Sequence, residues 1–210
     1  MKNIMDLKEF STVMKSKDQE FLSDKEKIDR IEGLFGEIME TLGLDLSDDS
    51  LKNTPNRVAK MYVKEAFGGL NPANKPAISL FENKYNYNQM LVEKDITLYS
   101  HCEHHFVPII GKVHVAYIPH ESVIGLSKIN RLVNYYAKRP QVQERLSIQI
   151  AEGLMEALGH KDVAVSIEAD HLCVASRGIK DTNSYTITEF FSGVFEEEAM
   201  QRKFLERIKS

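Results

Sequence analysis

From Ser23 onward the apolar residues Ile28, Ile31, Phe35, Ile38 and Leu42 recur at three- and four-residue intervals, the spacing of one helical face. Ser23 and Glu26 form a capping box at the start of this helix, and Gly43 stops it. The stripe is expected to pack against a second helix. That helix opens with Thr54 as N-cap and Pro55 in the first turn, continues through Val58, Met61 and Tyr62, and ends at Gly68-Gly69. Residues 23–76 thus read as a helical hairpin. The charged arm before it, 1–22, shows little periodicity and is expected to lie outside the main core.

Past the polar, proline-containing link 71–76 the period changes from helical to alternating. Strands are expected over Ala77–Glu82, Met90–Ser100 and Ile110–Ile118, paired as an antiparallel meander. In the third, Val113, Val115 and Tyr117 alternate with Lys112, His114 and Ala116. Ser127 is placed as the cap of a helix carrying Ile129, Leu132, Val133 and Tyr136. After Pro140 a second helix carries Val142, Leu146, Ile150, Leu154 and Leu158 and closes at Gly159. Extended structure returns over Val163–Cys173, where alternation sets Val163, Val165, Ile167, His171 and Cys173 on one face. A last strand, Tyr185–Phe190, precedes a charged segment of helical character. The class this order predicts is α+β: a helical hairpin, then a domain over 77–210 with an antiparallel sheet and two helices on one face. So small an open sheet leaves exposed edges, which points to self-association.

Composition narrows the function. The chain has 210 residues, 42% of them hydrophobic, enough for a core. Its formal net charge of -4 argues against general nucleic-acid binding, which needs a basic face. No apolar run is long enough to cross a bilayer, and Met1–Phe10 lacks the apolar core of a signal peptide. No membrane partner and a cytoplasmic location are therefore expected.

The chemistry concentrates in two short stretches, Cys102-Glu103-His104-His105 and His171-Leu172-Cys173. With His101 immediately before the first, they hold both cysteines and four of the seven histidines. Zinc favours thiolate and imidazole, and a catalytic zinc takes three protein ligands and leaves one position for water. The two cysteines and a histidine meet that count, and Cys102 and His105 are spaced for a tight turn that brings both onto one ion. His104 then points elsewhere. Water on such an ion becomes acidic near neutral pH, where a neighbouring histidine can shuttle protons. A structural zinc, with His104 or His171 as fourth ligand, is the other reading of the same residues. A disulfide fits poorly with a chain that carries no export signal, and two buried thiols would not explain the clustering with histidine.

Between and after these stretches lie Gly125-Leu126-Ser127-Lys128-Ile129-Asn130-Arg131 and Ser176-Arg177-Gly178. Lys128 and Arg131 share a helical face near an N-terminus, and with Arg177 they give three cations flanking the metal segments, a setting for phosphate. The chain has no P-loop, so phosphates would be handles rather than leaving groups. Gln143 and Glu144 open the following helix. A carboxylate there complements the helix dipole, or it accepts two parallel hydrogen bonds from the N1–H and 2-amino edge of guanine, which adenine does not offer.

These residues resemble the zinc-dependent GTP cyclohydrolase I family over nearly everything after residue 22. The resemblance rests on Thr54-Pro55-Asn56-Arg57-Val58-Ala59-Lys60-Met61-Tyr62-Val63, Cys102-Glu103-His104-His105-Phe106 and Val123-Ile124-Gly125-Leu126-Ser127-Lys128. It continues in Arg139-Pro140-Gln141-Val142-Gln143-Glu144-Arg145-Leu146 and in His171-Leu172-Cys173 with Arg177-Gly178. What it implies is hydrolysis of GTP to 7,8-dihydroneopterin triphosphate and formate, the entry to pterin and folate synthesis. It further implies a tunnelling fold and a toroidal homodecamer with sites between subunits. By the same resemblance Cys102, His105 and Cys173 hold Zn2+, and His104 and His171 move protons. Glu144 anchors guanine with Gln143 beside it, Ser127 lies near the ribose, and Lys128, Arg131, Arg177 and Arg57 grip the triphosphate.

The chain departs from that pattern at Tyr185 and Phe190-Phe191, where relatives carry smaller residues and a leucine. His101 is read as facing away from the metal, since neighbouring strand residues point oppositely. Two competing readings remain: a zinc-containing regulatory protein that binds guanine nucleotide without turnover, and another enzyme of the same fold acting on a pterin or deazapurine. The Cys-His-Cys set argues against the second, whose members use an all-histidine zinc site or a metal-free cysteine.

Overall fold

The computed structural model describes residues 22–209; except for Leu22, the arm expected over 1–22 lies outside them. The chain divides into two compact units between Leu70 and Asn71.

In the first unit, α1 (Asp24–Thr41) begins at the expected capping box. Glu26 accepts the Ser23 N–H at 2.7 Å, and Ser23 Oγ accepts the Glu26 N–H at 3.3 Å. The helix packs against α2 (Thr54–Lys60), which runs directly into a π-helical stretch, Met61–Ala66. Three expectations need correcting here. Asn53, not Thr54, is the N-cap, and no side chain caps this end; Pro55 brings no N–H, so one donor that a cap would satisfy is absent. Regular helix ends at Ala66, and Gly68-Gly69 belong to a buried 3-10 turn. The apolar stripe of α1 is only partly covered: Ile28 and Met39 are buried, whereas Ile38 and Leu42 are 51% and 73% exposed. Leu34, Ile38 and Leu42 form a second row beside the one that meets α2, so the apolar face is wider than its partner.

The second unit is built on a five-stranded sheet. Its strands are β2 (Leu91–Cys102), β3 (Pro108–Tyr117), β5 (Pro140–Gln141), β6 (Val163–His171) and β7 (Thr186–Ser192), in the order β5-β2-β3-β6-β7. All pairings are antiparallel except that of the two-residue β5 with the end of β2. The first strand, β1 (Leu80–Glu82), is shorter than expected and takes no part in this meander; it pairs with β4 (Ser122–Ile124) in a separate ribbon. Alternation puts Val113, Val115 and Tyr117 of β3 and Val163, Val165 and Ile167 of β6 into one core. There α3 (Leu126–Ala137) and α4 (Gln143–Leu158) cover the sheet. The expected α+β class, with these two helices on one face, is the class found.

Gly125 caps α3 without a side-chain bond, and Ser127 sits exposed within the first turn rather than at the cap. Gly159, at φ +75, ends α4 as expected. The charged C-terminal segment forms α6 (Glu198–Lys209), which covers the other face of the sheet: Phe204 and Phe195 pack with Ala116, Ala164 and Met90. Phe190 and Phe191, adjacent on β7, therefore serve opposite cores. Phe190 joins the α3/α4 side, and Phe191 meets Phe204 edge-on with ring centroids 6.2 Å apart.

β2 carries a bulge between Glu93 and Ile96, where Asp95 takes φ +58. The Asp95 N–H is donated to His114 Nδ1 at 3.2 Å, so this imidazole must keep an unprotonated nitrogen to hold the bulge. Burial pushes His114 below its ordinary value of 6.5, against the opposing pull of Asp95 and Glu168; Lys112 and Lys94 add to the lowering. The folded state then binds fewer protons at His114 than the unfolded chain. The stabilisation is complete above about pH 6.5 and is lost as pH falls below it. Thermal unfolding followed between pH 7.5 and 5.5 should show a smaller pH-dependent drop in Tm for His114→Gln than for the parent. Equal drops would contradict this role.

Candidate metal centre and nucleotide site

The Cys102–Phe106 motif forms the loop between β2 and β3. The Cys102 N–H is donated to Val107 O at 2.9 Å and the Phe106 N–H to Cys102 O at 2.8 Å, closing a turn in which Phe106 takes φ +54. Across β3, the register sets Ile109 opposite His171 at the end of β6. The chain then turns into the single helical turn α5 (Leu172–Ala175). Cys173 is thus on a helix, not on the strand where alternation placed it. The turn still delivers it to the β2–β3 loop: one donor atom each of Cys102, His105 and Cys173 lie within 4.8 Å of one another. Both cysteines are free thiols. Burial, reinforced by the adjacent Cys102, pushes the Cys173 thiol up toward its neutral form. Two sulfurs and an imidazole suit a zinc-class cation, whose charge would reverse that shift.

The other expected residues fall into three places. Near the sulfurs, His104 Nδ1 lies 3.6 Å from Cys102 Sγ, and Arg177 Nη1 lies 3.0 Å from His105 Nε2. His171 Nε2 is 2.7 Å from Gln143 Oε1. Glu144 is exposed in the first turn of α4, close enough to act on His171 electrostatically. His101 is not a member of the Cys102, His105, Cys173 group. Gln143, expected beside guanine, is buried, and its amide donates to Ile167 O at 3.1 Å and Thr186 O at 2.9 Å. With both amide hydrogens committed, Oε1 must accept, so His171 carries its proton on Nε2 and leaves Nδ1 unprotonated. Burial lowers the His171 pKa and favours that neutral form, with Glu144 and Asp170 opposing.

Ser127, Lys128 and Arg131 are elsewhere. The C-terminal end of α3 reaches the metal end of the sheet, where Ser100 Oγ donates to Ala137 O at 2.7 Å. Its N-terminal part sits beside the far end of β2, where Asn130 donates to Glu93 at 3.2 Å. Within one chain, therefore, only Arg177 of the three expected flanking cations accompanies the sulfurs. Arg57 belongs to α2 in the first unit.

Glu103, Gln141 and Arg145, to which the sequence assigns no role, form one further connection. Arg145 donates to Glu103 Oε2 at 2.5 Å, to Pro140 O at 3.0 Å and to Gln141 Oε1 at 3.1 Å, while the Glu103 N–H is donated to Gln141 O at 3.0 Å. One guanidinium thereby ties the metal loop to β5 and α4. The sequence signal was weak: in sequence alone a helix-borne arginine and a loop glutamate look like ordinary surface charge.

Fold and site together define the class: an α+β chain that gathers a metal-type donor set, a neutral histidine and an exposed carboxylate at one end of an antiparallel sheet. The sequence profile of GTP cyclohydrolase I matches residues 31–209, and the chain belongs to that family. GTP cyclohydrolase 1 of Flavobacterium johnsoniae is 61% identical over 188 residues, 90% of this chain and 84% of that protein. The protein of the same name from Aeromonas hydrophila is 54% identical over 189 residues, 90% and 87% of the two chains. That from Salmonella arizonae is 56% identical over 180 residues, 85% and 81%. Among the described residues no helix is long and apolar enough to cross a membrane.

The Arg145 clamp gives a prediction. Arg145→Ala should leave the three candidate donors in place but loosen their loop, lowering affinity for a zinc-class cation by about 10- to 100-fold, as for residues that orient ligands elsewhere. Competition with a chromophoric chelator measures it. Unchanged affinity in a folded variant would remove Arg145 from this role.

Proposed function

We propose that this chain hydrolyses GTP to 7,8-dihydroneopterin triphosphate and formate at a centre where Cys102, His105 and Cys173 hold Zn2+. The observation that carries this reading is the meeting of those three donors with His171 and Glu144 at one sheet end, in a chain of the GTP cyclohydrolase I family. The bound ion supplies Lewis-acid activation of water.

This chain's own residues supply recognition and proton transfer. Glu144, exposed at the start of α4, accepts the N1–H and 2-amino hydrogens of guanine. Gln143 holds His171 with Nε2–H inward, so that Nδ1 can take and return a proton at the imidazole ring of the base. His104 is the second carrier. Two additions of water break both C–N bonds to C8, which leaves as formate. The ribose carbons then rearrange and condense with the exposed amine, returning one water.

The triphosphate needs cations beyond Arg177. Lys128 and Arg131 stand at the other end of the same sheet, so a complete site requires Ser127, Lys128 and Arg131 of a neighbouring copy. A toroidal homo-oligomer, a decamer by resemblance, would provide this arrangement. Arg57 is a further candidate for the triphosphate. The product would enter folate or another pterin pathway, in the cytoplasm.

Incubating the zinc-loaded chain with GTP should release formate and a pterin that fluoresces after oxidation. Bound zinc with intact GTP would instead favour a nucleotide-binding regulatory protein. Cys102→Ala or Cys173→Ala should abolish zinc retention and turnover together, whereas His104→Ala should keep zinc and lose turnover. Glu144→Ala should weaken GTP binding by about 2 to 4 kcal/mol, the order of a lost charge-assisted pair.

The shared site has its own test. Cys102→Ala and Lys128→Ala chains, each inactive alone, should regain activity when dissociated and reassembled together, because some sites then draw both halves from intact chains. No recovery in well-formed mixed oligomers would contradict it.

A further inference from the structure

A cavity of about 700 Å3 opens at the start of β2, the end remote from Cys102. Phe81 and Val123, paired across the ribbon of β1 and β4, form one wall, and the turn after β1 adds Tyr85 and Tyr87. Leu91 and Leu126 extend the apolar part of the lining. A single side chain holds the turn: the Asn83 amide donates to Tyr87 O at 2.9 Å and His120 O at 2.8 Å, and its Oδ1 accepts the Tyr87 N–H at 3.0 Å. The cavity is therefore built before anything enters it. Its apolar groups also face water, with Phe81 59% and Leu126 54% exposed, and a clustered apolar surface of this kind marks an interaction site. It adjoins one of the cations proposed for the triphosphate, since a Cβ on Gly125 would stand 3.2 Å from the Phe81 ring and 3.7 Å from Lys128 Cγ.

The sulfur end of the sheet has the opposite shape. Eleven residue steps of β2, at about 3.3 Å each, put it about 36 Å from the cavity. There α5 leads into a loop closed on itself: the Lys180 N–H is donated to Val174 O at 2.9 Å and to Arg177 O at 3.3 Å. Gly178 and Lys180 take φ +61 and +57. Ile179, between them, is 83% exposed. A tied loop thus holds a branched apolar side chain out in water, two residues from Arg177, and the proposed reaction gives that side chain nothing to do.

We propose that the loop carrying Ile179 docks in the Phe81 and Leu126 cavity of a second copy of this chain, an inference that rests on the shared GTP site proposed above. Arg177 of one copy and Lys128 of the next can hold the same nucleotide only if they stand within one triphosphate of each other. Ile179 is two residues from Arg177, and Leu126 is two residues from Lys128. The approach that completes the site therefore also brings the apolar loop to the apolar cavity, and each covers what the other exposes. Loop and cavity are different surfaces, so the contact is head-to-tail, and every copy has one of each to use; contacts of this type close into rings when the rotation allows. Docking fixes the distance between Arg177 and Lys128, which makes Ile179 and Leu126 positioning residues for the triphosphate.

The test uses Ile179→Asp and Leu126→Asp in the full, zinc-loaded chain. Both residues are largely exposed, so each variant should keep the parent's circular dichroism and its bound zinc. By native mass spectrometry the parent should be a multi-chain assembly, and each variant alone should dissociate and lose GTP turnover. Phe81→Asp should behave as Leu126→Asp does. Mixed one to one, the Ile179→Asp and Leu126→Asp chains should form pairs, because the first still presents the cavity and the second still presents Ile179. Each pair then holds one intact contact and one complete site, and turnover should return. A monomeric parent overturns the proposal, as does an assembly that survives these substitutions or a pair of dissociated variants that fails to form on mixing. Pairs that form while neither they nor the parent consume GTP uphold the docking contact and strike at the GTP reading instead.

Discussion

The antiparallel register of β3 with β6 is the constraint on which the candidate site depends. With Ile109 opposite His171, the loop that begins at Cys102 and the turn that carries Cys173 emerge side by side. The two sulfurs are distant in sequence, and neither loop could bring them together alone. A slip of one residue would turn the apolar rows of β3 and β6 away from α3 and α4, so the hydrophobic core that fixes register also fixes the donor geometry. Arg145 adds the last restraint, holding Glu103 and β5 against the same loop.

The parts legible in sequence were those written in a repeated or chemically rare code. The alternation of β3 and β6 identified the core face, the capping box located the start of α1, and thiol–imidazole clustering picked out residues that meet at one end of the sheet. The misreadings have physical causes. Cys173 was placed by extending the alternation of β6 past His171, but no pattern marks where a strand yields to one turn of helix. The strands β4 and β5, of three and two residues, are too short to show a period. Ser127 has the chemistry of a cap, yet Gly125 takes that position, with the ring of Phe81 3.2 Å from where its Cβ would be. The Arg145–Glu103 pair joins residues 42 apart, and no local rule connects them.

In the proposed reaction, charge placement separates most of the triphosphate grip from the candidate metal centre along the sheet. Arg177, Glu144 and the histidines stand at the end that holds the sulfurs, while Lys128 and Arg131 stand toward the other. In a folded monomer this arrangement would hold the groups proposed to grip the triphosphate away from the candidate metal centre. Under the proposed function it would become economical only when copies adjoin, because each sheet would then present one half-site at each end. The incomplete cation set thus agrees with the exposed sheet edges, and the two observations are independent: one concerns ligand chemistry, the other unpaired backbone.

Gln143 and Glu144 show how one helix start assigns two neighbours to different work. Successive helical residues point about 100° apart, so when Gln143 faces the sheet Glu144 must face outward. The inward position demands an amide. Its NH2 donates to two backbone carbonyls while its oxygen accepts from His171. A carboxylate there would have no hydrogen for either carbonyl and would bury a charge beside them. The outward position demands the opposite, a group that only accepts, if it is to read the donor edge of guanine. Exchanging the two would leave the buried site charged and the exposed site able to pair with either purine, so their order sets the tautomer of His171 and, under the proposed function, would also set the base the site prefers.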